Sequence, residues 1–104
     1  MAYPSQYKDA QVEILGEPGT ARQLTAGSAS SNTVLTSTTK RISIRAVGAD
    51  IRFSIGGSAQ TANGNTSNFI ANGERLDFAT PLDANIAVIR DGTVNGTLEL
   101  TELI

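Results

Sequence analysis

Several residue types that commonly carry chemistry are missing from this chain of 104 residues, or nearly so. It contains no cysteine, no histidine and no tryptophan, and its only lysines are Lys8 and Lys40. Without cysteine there is neither a disulfide framework nor a thiolate nucleophile. Without histidine, the most common general base and transition-metal ligand is absent. We therefore expect that the protein is not an enzyme and that it holds no cofactor and no metal.

A basic surface and long apolar runs are also missing. The formal net charge is −2 at pH 7, which argues against a nucleic-acid binder because such a protein needs a basic footprint. No apolar run approaches the length of a membrane span, and the N-terminus lacks the basic and apolar regions of a secretory signal peptide. We expect a soluble protein, made in the cytoplasm, that binds neither nucleic acid nor membrane.

What the chain has in abundance is small polar residues and short alternating segments. It contains 12 Thr, 9 Ser, 7 Asn and 10 Gly, a composition typical of turns and strand faces. Seven or eight short strands are separated by turn signals, and no segment has convincing helical periodicity. This pattern predicts an all-β fold: one antiparallel β-sandwich domain (jelly-roll-like), or a small barrel, over residues 12–104, preceded by an N-terminal arm over residues 1–11.

The clearest alternation lies in "ISIRAVGADIRFSIGG", residues 42–57, and predicts a β-hairpin. A short loop at Gly48-Ala49 would set every apolar residue of one arm opposite an apolar residue of the other. The same register places Arg45 directly opposite Arg52, an unfavourable pair of like charges. A carboxylate on a neighbouring strand, Glu99 or Asp77, or simple solvation would offset the repulsion. Alternatively, the two arginines contact carboxylates of a partner protein.

Two further segments are candidates for partner contact. The stretch Ser58–Asn68 has no large apolar side chain and is the most exposed-looking loop, with Asn63 and Asn65 near its centre. The N-terminal arm carries Tyr3 and Tyr7 and would either order on a neighbouring subunit or fray as an ordinary terminus. We expect the three phenylalanines, by contrast, to lie in the core.

The stretch Asp91–Glu102, "DGTVNGTLELTE", approaches the spacing of a calcium-binding EF-hand loop. Asp91, Asn95 and Glu102 occupy ligand positions, but Thr93 stands where Asp or Asn is required. An EF-hand also needs flanking helices, whereas both flanks alternate like strands. A plain hairpin turned by "DGTVNG" explains the same residues, and we expect no metal here.

The second half of the chain resembles small virion proteins of tailed phages and prophages. The resemblance is carried by an ordered series of segments covering roughly the last 60 residues: "GADIRFSIGG", "FIANGERLDF", "IAVIRDG" and "GTLELTEL". It implies a structural role in the particle, most directly as a capsid decoration (cement) protein that binds the major capsid protein. A tail or tail-fibre accessory protein that contacts tail proteins is the nearest alternative. The resemblance also implies localisation in the virion and assembly as a homo-oligomer.

Two functions of other classes stay open. A β-sandwich carbohydrate-binding module for host-surface glycans would need exposed aromatic rings, which are few in a chain with five aromatic residues and no tryptophan. A calcium-dependent adhesion domain would need metal in the Asp91–Glu102 stretch. Binding to glycans would support the first, and an effect of chelator on the melting temperature would support the second.

Overall fold

The computed structural model describes residues 18–103, which form eight strands and no helix. Most of the strands alternate between buried inward and more exposed outward side chains, as strands with one face in a core do. The strands are β1 (Pro18–Ala26), β2 (Ser31–Val34), β3 (Arg41–Val47), β4 (Ile51–Gly56), β5 (Asn68–Ile70), β6 (Arg75–Ala79), β7 (Asn85–Arg90) and β8 (Gly96–Leu103).

The strands form two antiparallel four-stranded sheets. Sheet A has the order β1-β8-β3-β6 and sheet B the order β2-β7-β4-β5. β1 pairs with β8, β2 with β7, β3 with β6 and β4 with β5, so each of these pairs is enclosed along the chain by the one before it. This is the jelly-roll arrangement, and the prediction of an all-β antiparallel sandwich with seven or eight strands is confirmed.

The core lies between the inner faces of the two sheets. It consists of aliphatic side chains with a single fully enclosed ring: Leu24, Ala26, Leu35, Ile42, Ile44, Ala46, Ile51, Phe53, Ile70, Ala84, Ile86, Val88, Leu98 and Leu100 are all buried. Branched aliphatic residues suit this position because they pack well on a pleated surface. Ile55, Leu76 and Phe78 close the core from its edge.

The predicted hairpin over residues 42–57 is wrong, although both of its strands are present. β3 belongs to sheet A and β4 to sheet B, and β3 pairs instead with β6 and β8. The apolar residues of the two arms face each other across the core and not along one sheet. Arg45 and Arg52 therefore lie on opposite outer faces of the sandwich, so no like-charge repulsion between them has to be offset.

The hairpin predicted at "DGTVNG" is wrong for the same reason. It joins β7 of sheet B to β8 of sheet A, and the connection at Asn72-Gly73 likewise passes from sheet B to sheet A. The crossing connections at this end of the sandwich are tied together. Gly73 N donates to Ala46 O (2.8 Å), Gly48 N to Asn72 Oδ1 (2.9 Å), and Asn72 N to Asp50 Oδ1 (2.8 Å).

The Ser58–Asn68 segment crosses the outer face of sheet B and is held to it by hydrogen bonds, although most of its residues are exposed. Gln60 N donates to Asn32 Oδ1 (2.8 Å), and the Gln60 Oε1 atom accepts from Ser54 Oγ (2.8 Å). Ala62 is buried and its N–H donates to Ser30 Oγ (2.8 Å). The expectation of an exposed loop is confirmed for most of the segment, including Asn63 and Asn65, while Ala62 is buried where small polar residues bond to the sheet beneath them.

Candidate functional site

The two outer faces of the sandwich differ in what covers them. On sheet B the segment described above crosses Ala87, which is fully buried although it points outward. On sheet A no described segment crosses the outer face, and its side chains form continuous rows across the strands. Three of these rows are Gln23-Glu99-Arg45-Arg75, Ala21-Thr101-Ser43-Asp77 and Pro18-Leu103-Arg41-Ala79.

Arg45 stands at the centre of this outer face of sheet A. Glu99 on β8 is its direct neighbour on one side and Arg75 on β6 its direct neighbour on the other. The Glu99 carboxylate accepts a hydrogen bond from Gln23 Nε2 (3.0 Å). Arg45 itself makes neither a hydrogen bond nor an ion pair with any residue in the described range 18–103 and is exposed. It is thus a cation that is presented to solvent or to a partner.

Arg75 and Asp77 lie beside Arg45 at the free edge of sheet A. Arg75 Nε donates to Ser43 Oγ at 2.8 Å and lies 3.5 Å from Asp77 Oδ1. Their side chains remain 67% and 51% exposed, so this ion pair is a weak surface contact. The neighbouring acids expected around Arg45, Glu99 and Asp77, are both on this face.

Arg52 has a different environment from Arg45. Its Nε atom donates to Asp91 Oδ1 (2.8 Å), its Nη1 atom donates to the Ser67 carbonyl (3.0 Å), and its guanidinium lies 4.9 Å from the centre of the Phe69 ring. These contacts join β4 to β5 and to the β7–β8 connection. This arrangement stabilises the fold, and no local pattern indicated that Asp91 is the partner of Arg52.

Asn63 and Asn65 form a turn in the segment over sheet B. Asn63 Oδ1 accepts from Asn65 N (2.8 Å), and Asn63 N donates to Ser67 Oγ (2.8 Å). Such bonds between an asparagine side chain and nearby backbone are typical of loop turns. The structure thus gives Asn63 a role in shaping the loop, while the exposed Asn65 side chain remains available at its tip. Tyr3, Tyr7 and the whole predicted arm lie outside the described residues.

The most elaborate polar site in the described chain was not foreseen from the sequence. Glu102 is buried on the inner side of β8 and accepts hydrogen bonds from Thr39 Oγ1 (2.6 Å), Thr36 N (2.7 Å) and Thr36 Oγ1 (3.2 Å). Arg22 adds contacts from Nε and Nη2, both at 3.1 Å. A signal existed, because Glu102 falls on the same alternating set as Leu98 and Leu100.

Burial alone raises the pKa of Glu102, but the opposing contacts are stronger together. The hydrogen bonds from Thr39 and Thr36 and the charge of Arg22 favour the carboxylate and bring the pKa below its ordinary value. Glu102 is therefore ionised at neutral pH and joins β1, the β2–β3 connection and β8. It borders an 850 Å³ cavity at that end of the sandwich, together with Thr20, Ser37 and Leu82.

A second, apolar groove of 520 Å³ opens where the free edges of the two sheets face each other. Phe53, Phe69, Leu76, Phe78 and Pro81 line it. The Phe53 and Phe78 rings stack at 5.8 Å. The prediction that all three phenylalanines are core residues holds for Phe53 and in part for Phe78, but it is wrong for Phe69, which is 42% exposed.

The calcium-like spacing of Asp91–Glu102 does not become a site. Asp91 bonds Arg52 at one end of β8, Asn95 Oδ1 accepts from Arg90 Nη1 (2.8 Å), and Glu102 is held at the other end of β8 by threonines and Arg22. Across the described residues, no three acidic side chains are grouped so that they could hold a metal ion. Residues 18–103 also include no helix with the length and apolar character of a membrane span.

Comparisons with known proteins give a fold and no family. No family model matches the chain, and no curated protein matches it. Among solved structures, it is similar to a de novo designed double-stranded β-helix determined by solution NMR. The TM-score is 0.55 at 15% sequence identity, covering 81% of this chain and 99% of the designed one. At that identity the similarity concerns the fold alone.

Proposed function

We propose that this domain is a structural virion protein of a tailed phage, a capsid decoration protein that attaches to the major capsid protein by the outer face of sheet A. The observation that carries the proposal is the difference between the two outer faces. One face is occupied by the chain's own Ser58–Asn68 segment, and the other presents Arg45 without a partner among residues 18–103. That the assembly is a tailed-phage particle is inferred from the segments that resemble virion proteins of tailed phages.

The chemistry of this face suits attachment to a carboxylate-bearing surface. Arg45 and Arg75 are neighbours across β3 and β6 and both are exposed, so they can contact the same acidic group. Arginine favours bidentate contacts with carboxylates at interfaces. We expect no substrate turnover in such a role.

Co-sedimentation tests the proposal. Purified protein is mixed with virions of the phage or prophage whose genome encodes the chain, and the pellet is compared for the natural sequence and for Arg45→Glu. We expect the natural protein to pellet with the particles and Arg45→Glu to lose most of that binding. Arg90→Glu, the same charge change on sheet B, serves as the control and should bind normally. Protein that stays in the supernatant, or equal binding by Arg45→Glu, would contradict the proposal.

A second candidate function is glycan binding, and one specific feature favours it. The groove lined by Phe53, Phe69 and Phe78 offers an exposed ring edge at Phe69, and sugars stack on aromatic rings in many binding sites. Binding on a glycan array that is lost in Phe69→Ala, with no pelleting on virions, would favour this function.

A tail or tail-fibre location would instead be shown by binding of the protein to phage tails that have been separated from heads.

A further inference from the structure

We infer that the free edge of sheet A, strand β6, is the interface of a two-fold symmetric homodimer. The inference goes beyond the proposed function and does not depend on it. It starts from the position of β6, which is the last strand of sheet A among residues 18–103. An edge strand presents unpaired backbone groups and is a ready template for pairing with another chain.

The hydrogen bonds at the two ends of β6 show which backbone groups are available. Thr80 N donates to Lys40 O (2.8 Å), and Ala46 N donates to Glu74 O (3.2 Å). Because residues of an antiparallel pair alternate in direction, Leu76 and Phe78 bond to β3. The N–H and C=O groups of Arg75, Asp77 and Ala79 therefore point away from sheet A.

The charges along β6 match a single register of self-pairing. If two copies of β6 run antiparallel with the symmetry axis at Leu76, Arg75 of one copy lies opposite Asp77 of the other, and the reverse pair forms by symmetry. Both pairs use residues whose backbone groups point outward, so each exchanges both hydrogen bonds. A register centred on Asp77 would instead place the two Asp77 carboxylates against each other, which is unfavourable.

The apolar groove beside β6 supports the same arrangement. On the inner side of the strand, Leu76 meets its symmetry mate at the axis, and the pair closes the end of the groove where Leu76 and Phe78 are only partly buried. The dimer would join two copies of sheet A into one eight-stranded sheet. The outer faces of the two copies of sheet A, each with its Arg45, would then form one continuous surface.

Charge exchange at Arg75 and Asp77 tests the register. In Arg75→Asp, each of the two cross-strand ion pairs becomes a pair of like charges, and we expect the dimer dissociation constant to rise about tenfold or more. The double variant Arg75→Asp with Asp77→Arg restores both pairs in swapped order and should return to within about threefold of the natural value. Arg90→Asp, which carries the same charge change on β7 of sheet B, is the control. Mass by light scattering over a dilution series gives the constant.

A cross-link provides a second measurement that does not depend on the charge variants. The chain has no cysteine, so Leu76→Cys introduces a single thiol at the proposed axis. Residues directly opposite in a non-hydrogen-bonded antiparallel pair have Cα atoms about 4.5 Å apart, within the range that a disulfide spans. Oxidation should give a disulfide-linked dimer for Leu76→Cys and none for Val94→Cys, an exposed position on the connection between β7 and β8.

The outcomes separate cleanly. A dimer that depends on the Arg75–Asp77 order and cross-links at position 76 supports the inference. The inference is overturned if the protein is a monomer at all concentrations or a trimer. It is also overturned if the dimer dissociation constant is the same in both charge variants and Leu76→Cys does not cross-link. Because these experiments use purified protein without particles, the inference can fail while the proposed attachment to virions holds, and the reverse is equally possible.

Discussion

The buried carboxylate of Glu102 allows the sharpest prediction about stability. In Glu102→Gln the side chain keeps its shape and one carbonyl oxygen, so it can still accept from Thr36 N and Thr39 Oγ1. It loses its charge and turns an amide group toward Arg22. We expect the protein to fold and to be less stable at pH 7.

The magnitude follows from what remains buried after the change. Removing one partner of a fully buried ion pair costs about 3–5 kcal/mol. Here the Arg22 side chain is 29% exposed, so water can solvate part of the guanidinium. We therefore expect Glu102→Gln to lower the free energy of unfolding by about 2–3 kcal/mol. With a urea m-value of about 1–3 kcal/mol per M, the midpoint moves by about 0.7–3 M.

The pH dependence gives this prediction a specific signature. Because the pKa of Glu102 is lower in the folded protein than in the unfolded chain, its stabilising contribution is complete above the unfolded pKa of about 4.3. It is lost as the pH falls through the lower, folded pKa. The difference between the natural protein and Glu102→Gln should therefore be large at pH 7 and shrink steadily below about pH 4.

Urea unfolding at a series of pH values checks both statements, with Glu99→Gln as the matched control. Glu99 lies on the same strand, faces outward, and accepts one side-chain hydrogen bond, from Gln23. Its substitution should change stability by no more than about 0.5 kcal/mol. Equal effects of the two substitutions at pH 7, or a Glu102→Gln effect of the same size at pH 7 and pH 3, would refute the reasoning.

Three further predictions concern loops and faces. Arg52→Ala should lower the free energy of unfolding in urea by about 1–2 kcal/mol, since it removes an ion pair, a hydrogen bond to a carbonyl and a contact with an aromatic ring; an unchanged midpoint would contradict that role. Gly73→Ala should lower the free energy of unfolding by about 1 kcal/mol because φ is +85° at that turn. Gly92→Ala should leave it unchanged in the same assay, because position 92 has open space around it and no such φ. Ala87→Gln should lower the melting temperature by several degrees, the effect of about 1–2 kcal/mol, because the Ser58–Asn68 segment above sheet B must move to make room. Ala21→Gln, on the outer face of sheet A, should leave the melting temperature unchanged. Equal melting temperatures for the two variants would mean that the segment is not packed on Ala87.

Local sequence patterns were sufficient to predict the elements of this fold. The alternation in Arg75–Ala79 matches β6, and the doubly apolar run at Asn85–Arg90 is the interior strand β7. In β7 the outward-pointing Ala87 is buried as well as the inward-pointing Ile86 and Val88. These predictions succeed because alternation records which side of a strand meets apolar surroundings.

The interacting side chains of the candidate site were harder to predict. The exposed position of Arg45 followed from its place on the polar set of β3, but its neighbours Arg75 and Glu99 come from distant parts of the chain. The partner of Arg52 was missed because Asp91 lies on a connection whose path no local pattern describes. Glu102 could have been noticed as an acid on an apolar set.

The sequence by itself determined that this chain forms short strands and which side chains of each strand enter a core. Only the tertiary structure decided which strands are neighbours, because the same alternation is satisfied by two strands side by side in one sheet and by two strands facing each other across a core. Hence "ISIRAVGADIRFSIGG" forms one strand in each sheet, and the short connection between them crosses from sheet A to sheet B. Of its two arginines, Arg52 forms an ion pair with Asp91, whereas Arg45 is exposed on the outer face of sheet A.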